Sequence, residues 1–204
     1  MILWINGAFG AGKSQTAYEL KRRIPDSFVL DPEQAGYYIR KNLPDEVKKS
    51  DFQDYLMWRE FNYAMLRYLD ANSTRIIIAP MTITNPAYFD EIIGRLRKDG
   101  VDVRHFTLFA SREVLLKRLK SRGDGEKSWP AQQIDRCVKE LSQDVFKHRI
   151  DTDQMSIDEV VEKIAEMAEV SLLPDHRGKI RKKMGSAQDP TWTNSFILII
   201  LHSR

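Results

Sequence analysis

Gly7, Gly12, Lys13 and Ser14 stand at the spacing G-x-x-x-x-G-K-[ST] inside "WINGAFGAGKSQTAYEL", Trp4 to Leu20. That spacing suits one task, holding the phosphates of a nucleoside triphosphate. Small residues from Gly7 through Ala8, Gly10, Ala11 and Gly12 let consecutive backbone N–H groups converge on an anion. A helix starting at Lys13 would add its positive end. Lys13 can reach the outer phosphates, and the Ser14 hydroxyl can ligate Mg²⁺. Phe9 is the odd member of the loop. It is large and apolar where only small residues are needed, so it is expected to face an acceptor crevice rather than the nucleotide.

The same loop serves motors, switches and kinases, and missing features separate them. A GTPase needs an N-K-x-D segment to read its base, and the chain has none. Its one D-x-x-G, Asp175 to Gly178, does not follow a strand. Hydrolytic ATPases place a carboxylate at the end of an apolar strand, whereas "RIIIAP" ends in Pro80 followed by Met81. Both absences favour transfer to an acceptor, with water kept out.

Phosphoryl transfer needs cations over the migrating charge. Arg118 and Arg122 lie four apart, on one face of a helix, and Gly123 and Gly125 after them offer hinges for a lid. A solvated basic face is the alternative. Asp31 closes the second apolar run, where ligands gather in an open α/β sheet. Its carboxylate can deprotonate an attacking hydroxyl, help hold Mg²⁺, or simply cap a helix. Glu33 is the weaker candidate for the same work. Arg59, Asn62 and Tyr63 form a polar stripe at i, i+3 and i+4 on an aromatic helix, suited to orient a planar substrate or to be a plain surface stripe. Met81 and Thr82 would face the same crevice. His105, inside a strand, is expected to be structural.

Positioning these groups requires alternating elements. Apolar, strand-forming runs occur at Met1 to Ile5, Phe28 to Asp31, Arg75 to Pro80, Val101 to Ala110 and His148 to Thr152. Helical patterns fall between them: Lys13 to Ile24, Asp51 to Leu69, one from Asn85-Pro86 to Asp99, one capped by Ser111, and one opened by the capping box Ser156/Glu159. This alternation predicts a parallel sheet with helices on both faces.

The 204 residues fit one such domain, placed at 1–173, with a tail at 174–204. Net charge is +3, and much of the excess sits in "RGKIRKK", Arg177 to Lys183. No nucleic-acid partner is expected from so local a cluster. The basic stretch beside the apolar "FILIIL", Phe196 to Leu201, suggests either peripheral contact with an anionic membrane surface or an extra strand. Cys137 is the only cysteine, so no intrachain disulfide can form, and a cytoplasmic setting is expected. No secretory signal or membrane-length apolar run is visible. Oligomeric state is left open.

The segments "WINGAFGAGKSQTAYEL", "DPE", "WREFNY", "PMTITNPAYFDEIIGRLR", "HFTLFAS", "LLKRLKSR", "SWPAQQIDRCVKEL" and "TDQMSIDEV" together resemble the bacterial ATP-binding tunicamycin-resistance proteins, over about Met1 to Arg181. The resemblance implies a P-loop NTPase fold like that of nucleoside-monophosphate and shikimate kinases, a five-stranded parallel sheet of order 2-3-1-4-5. It implies ATP and Mg²⁺ at Gly7 to Ser14, and tunicamycin, a nucleoside antibiotic, as a possible small-molecule acceptor. Lid arginines map onto Arg118 and Arg122, and the acceptor-contacting acid onto Asp31. The wider kinase group often carries Asp-x-Asp there, whereas this chain has Asp31-Pro32-Glu33. The reading from sequence is a small-molecule kinase; an ATP-dependent drug-sequestering protein and a metabolic kinase remain alternatives.

Overall fold

A computed structural model describes residues 1–175, and Met1–Leu173 form one compact unit. The basic stretch 177–183, the apolar stretch 196–201 and the expectation of membrane contact therefore lie outside the described residues. No helix among the described residues is long and apolar enough to cross a membrane.

Five strands make one parallel sheet: β1 (Ile2–Gly7), β2 (Ser27–Val29), β3 (Ile76–Pro80), β4 (Val103–Phe109) and β5 (Arg149–Asp151), ordered β2-β3-β1-β4-β5. This is the order the family resemblance implies. β1 is central, pairing with β3 through Ile2↔Ile77 to Ile5↔Pro80 and with β4 through Ile2↔Val103 to Gly7↔Leu108. Every residue of β1 is buried, as a strand covered on both faces by helices must be.

The helices are α1 (Lys13–Arg23), α2 (Glu33–Lys41), α3 (Leu56–Asn72), α4 (Pro86–Phe89), α5 (Arg95–Lys98), α6 (Arg112–Ser121), α7 (Trp129–Gln132), α8 (Ile134–Leu141) and α9 (Ile157–Met167). A π segment, Asp90–Gly94, joins α4 to α5, so the helix expected from Asn85 to Asp99 runs through with one wide turn. Its start and stop follow the sequence signals: Asn85 caps Ala87 and Tyr88, and Gly100 takes φ 86°. The Ser156/Glu159 capping box forms in both directions.

Two elements differ from the sequence reading. α2 carries too few core residues to show a helical stripe; Gly36 is its one fully buried position, pressed against the Phe52 ring. The helix expected from Asp51 begins only at Leu56. Asp51 instead accepts the Gln53 N–H and starts a separate 3₁₀ turn, Phe52–Asp54, before the chain turns at Tyr55.

Candidate active site

The C-terminal end of β1 delivers the phosphate loop. Gly7 sits so close to β4 that a Cβ there would lie 2.7 Å from the Leu108 carbonyl oxygen. Gly12 takes φ 93° and serves as the N-cap of α1, a backbone that side-chain-bearing residues rarely adopt. The loop is buttressed from β3. Asn6 accepts the N–H of Gly7 and of Ile83 on Oδ1 and donates from Nδ2 to the Ile83 carbonyl. Thr82 donates to the Gly7 carbonyl at 2.7 Å. His105 meets Asn6 from below at 3.3 Å, and burial, with Arg97 and His148 near, pushes its pKa down to about 3. It is a neutral structural ring, as expected.

Lys13 folds back into the loop and donates to the Ala8 carbonyl at 3.1 Å. Burial pushes its pKa down to about 8, opposed chiefly by Glu33 and reinforced by Arg122. A buried ammonium with a single neutral acceptor is poised to exchange that acceptor for a phosphate. Ser14, at the start of α1, is exposed to the same space.

That space is a cavity of 800 Å³ over the loop. Phe9, Gly10, Lys13 and Ser14 form its floor, and Met81 closes the β3 side. Glu33, Tyr37 and Arg40 reach in from α2, and Arg122 and Trp129 from beyond α6. Phe9 lines this cavity, and its ring meets Trp129 edge to face at 5.0 Å.

Asp31 and Glu33 make different contacts. Asp31 accepts the Glu33 N–H at 3.0 Å and faces Gln34 Nε2 at 3.4 Å, opening α2. Of the two, Glu33 lines the cavity, as Asp51 does too, and Glu33 accepts from the Tyr37 hydroxyl at 3.0 Å. The turn between them is held by Trp58, whose indole N–H donates to the Pro32 carbonyl.

The two arginines of α6 separate as well. Arg118 donates to both oxygens of Thr152, at 3.0 and 2.5 Å, and ties α6 to the end of β5. Arg122 turns to the cavity, with Asp124 3.3 Å away. The α3 stripe points elsewhere. Arg59 pairs with Glu91 at 2.5 Å and stacks on Tyr88, Asn62 bonds the Trp58 carbonyl, and Tyr63 bonds Asp99 under the Arg95 guanidinium. Arg59 and Tyr63 fasten α3 to the α4–α5 helix, Asn62 bonds within α3, and none of the three lines the cavity. Thr82 is 3% exposed and buttresses the loop from behind.

The sequence reading missed Tyr37, Arg40 and Trp129. Glu33, Tyr37 and Arg40 recur at i, i+4 and i+7, so one helix face carried the signal. Cys137 is fully buried beneath the site with its thiol pushed up to about 11 by burial, an inert core residue.

The AAA domain family AAA_33 matches residues 2–167. The tunicamycin resistance protein of Deinococcus radiodurans superposes with a TM-score of 0.74 at 33% identity, covering 85% of this chain and 98% of that one. A gluconokinase from Sinorhizobium meliloti 1021 (TM-score 0.57, 19% identity, 82% and 93% covered) shares the fold. So does a shikimate kinase from Bacteroides thetaiotaomicron (TM-score 0.53, 15% identity, 83% and 99% covered). A comparison with curated proteins finds no match. β3 ends at Pro80, without the strand-end carboxylate of hydrolytic ATPases. With its phosphate loop, its kinase-type sheet and this similarity over most of its length, the chain belongs to the AAA_33 P-loop family and, within it, to the tunicamycin-resistance proteins.

Proposed function

We propose that the protein is an ATP- and Mg²⁺-dependent phosphotransferase that moves the γ-phosphoryl group to a hydroxyl of a nucleoside-type antibiotic, with tunicamycin the first candidate. One observation carries the reading: the Lys13 ammonium and the Glu33 carboxylate line the same cavity with Arg122. Attack on a phosphoryl group needs a cation on the oxygens being transferred and an acceptor for the hydroxyl proton. No carboxylate stands at the end of β3 to activate water.

In this scheme the loop N–H groups and Lys13 hold the β- and γ-phosphates. Ser14 and phosphate oxygens supply ligands for Mg²⁺, which neutralises developing charge when bound. The residues fit such an ion, since the exposed Ser14 hydroxyl and the Glu33 carboxylate share one cavity. Glu33 orients or deprotonates the acceptor hydroxyl. Asp31 supports it through the turn, and Arg122 covers the transferring group.

The test is mass spectrometry of tunicamycin incubated with excess protein, ATP and Mg²⁺. A drug carrying one added phosphoryl group supports transfer. An unmodified drug retained only with ATP would replace transfer by sequestration. Transfer that survives Lys13→Ala would defeat the site assignment.

A further inference from the structure

A buried series of hydrogen bonds runs from α3 to the phosphate loop. Arg59, 8% exposed, donates from Nη1 to the Gln53 carbonyl at 2.6 Å. Gln53, 9% exposed, donates from Nε2 to the Thr82 carbonyl at 3.0 Å. The Thr82 hydroxyl donates to the Gly7 carbonyl at 2.7 Å. We infer that Gln53 is a positioning residue for the phosphate loop, acting through Thr82 and seated by Arg59. This rests on the loop being the nucleotide site, and not on what receives the phosphoryl group.

Gly7 opens the loop with no side chain of its own, and a glycine backbone is the least restricted of any residue. Its peptide planes must therefore be set from outside. Asn6 sets one by accepting the Gly7 N–H on Oδ1 at 2.8 Å. Thr82 sets the next. Across a trans peptide the C=O and the following N–H point opposite ways. A hydroxyl that holds the Gly7 carbonyl thus also fixes the direction of the Ala8 N–H, one of the groups from which the loop is built. The Ala8 carbonyl is held in turn by the Lys13 ammonium and the Ala11 N–H, each at 3.1 Å.

Thr82 itself is seated by the chain on either side and by Gln53. The Met81 N–H donates to the Ile5 carbonyl at 3.0 Å, and the Ile83 N–H to Asn6 Oδ1 at 2.9 Å, so the segment after β3 is stitched to β1 around Thr82. Gln53, 29 residues earlier in the chain, takes the one carbonyl between those stitches. Its own peptide groups are engaged too, the N–H by Asp51 and the carbonyl by Arg59. Arg59 is fixed by Glu91 and by stacking on Tyr88, whose ring centre lies 4.1 Å away. The arginine in the polar stripe of α3 therefore serves the loop from behind, through two intermediaries. Gln53 also borders the cavity, but its donor end is held by Thr82, so positioning is the role its geometry supports.

Calorimetry with Mg²⁺ and the non-hydrolysable analogue AMP-PNP tests this, because it reads nucleotide affinity without requiring transfer. Gln53→Leu and Thr82→Val should each weaken AMP-PNP by about fivefold to tenfold, the effect of one lost hydrogen bond. Gln53→Asn keeps the amide but is one methylene too short for the Thr82 carbonyl, and it should behave as Gln53→Leu does. Thr82→Ser keeps the hydroxyl and should bind within about twofold of the unaltered protein. The double variant decides the route. Because Gln53 acts through Thr82, adding Gln53→Leu to Thr82→Val should cost less than about twofold more. Urea midpoints on the same preparations separate positioning from stability: a merely structural role lowers the midpoint and leaves the affinity of the folded protein where it was. Additive losses in the double variant, or undiminished affinity in both Gln53 variants, would overturn the inference. Failure of the unaltered protein to bind AMP-PNP would remove the nucleotide site itself, and this inference with it.

Discussion

Trp129 meets Phe9 edge to face, ring centres 5.0 Å apart, and Lys13 Nζ lies 5.5 Å from the centre of the same Phe9 ring. An aromatic pair therefore spans from the phosphate loop to α7, beside the Lys13 ammonium. Phe9 is fixed on the loop, while Trp129 is 45% exposed and follows the glycine-bearing segment after α6. Such a pair contributes about 1 kcal/mol beyond area burial. Trp129→Ala should raise the acceptor KM by about fivefold to tenfold, while Trp129→Phe should recover most of the loss. ATP affinity should change little in either variant. Steady-state kinetics with each substrate varied separately checks this, and an effect confined to ATP would reverse the reading.

Lys13 sets a pH limit. Its pKa is pushed down to about 8, below the unfolded value, because burial disfavours its charged form. Bound phosphate favours the charged form, so binding ATP raises that pKa and takes up a proton. Affinity should therefore be flat below pH 8 and fall by about tenfold per pH unit above it. Calorimetric titrations with ATP from pH 7 to 9.5, in buffers of differing ionisation enthalpy, read both the slope and the proton uptake. Lys13→Met should bind weakly and lose the slope. A steep fall retained by Lys13→Met would assign the titration to another group.

The phosphate loop and the five strands were legible because each has a local cause. Glycine spacing dictates the loop, and buried apolar runs dictate the sheet. The capping signals at Asn85, Ser111 and Ser156 were legible for the same reason, since a cap acts within four residues of its own position. The partners of long polar side chains were not legible. Arg59, Asn62 and Tyr63 do form one helix face, but whether that face meets substrate or the α4–α5 helix depends on chain 30 residues away, where Glu91 and Asp99 sit. Arg118 and Arg122 likewise share a helix face in sequence. Thr152, far along the chain, captures one and leaves the other to the cavity. The α2 helix showed in the sequence only as a cap at Asp31, because it buries one glycine rather than an apolar stripe.

The roles of Asp31 and Glu33 can be told apart by isosteric amides. Asp31 contributes an oxygen to the Glu33 N–H, and an asparagine oxygen can do the same. Glu33 contributes a charge to the cavity, which glutamine cannot replace. Glu33→Gln should lower kcat by about 10²- to 10⁴-fold if the carboxylate takes the acceptor proton. Asp31→Asn should lower kcat by about tenfold or less. Single-turnover rates of phosphoryl transfer decide between them. The reverse ranking would return the base to Asp31.

Arg118 and Arg122, one helical turn apart, should fail in different ways. Arg118 makes two hydrogen bonds to Thr152, joining α6 to the turn after β5, so its removal leaves the Thr152 carbonyl with the Met155 N–H at 3.3 Å as its remaining donor. Arg118→Ala should cost about 1–3 kcal/mol of stability, read as a lower urea midpoint, and should leave the transfer rate of the folded protein within about tenfold. Arg122 is exposed toward the cavity, and its nearest acid is Asp124 at 3.3 Å. A surface pair of that kind stabilises little, so Arg122→Ala should leave the urea midpoint in place. Its cost falls on the transition state, where a lost cation over the migrating phosphoryl group is worth about 10²- to 10³-fold in kcat. Arg122→Lys should restore charge without the planar fork and recover only part of the rate. Measuring stability and single-turnover rate on the same preparations separates the two arginines. A large rate loss in Arg118→Ala at unchanged stability would place both over the phosphates.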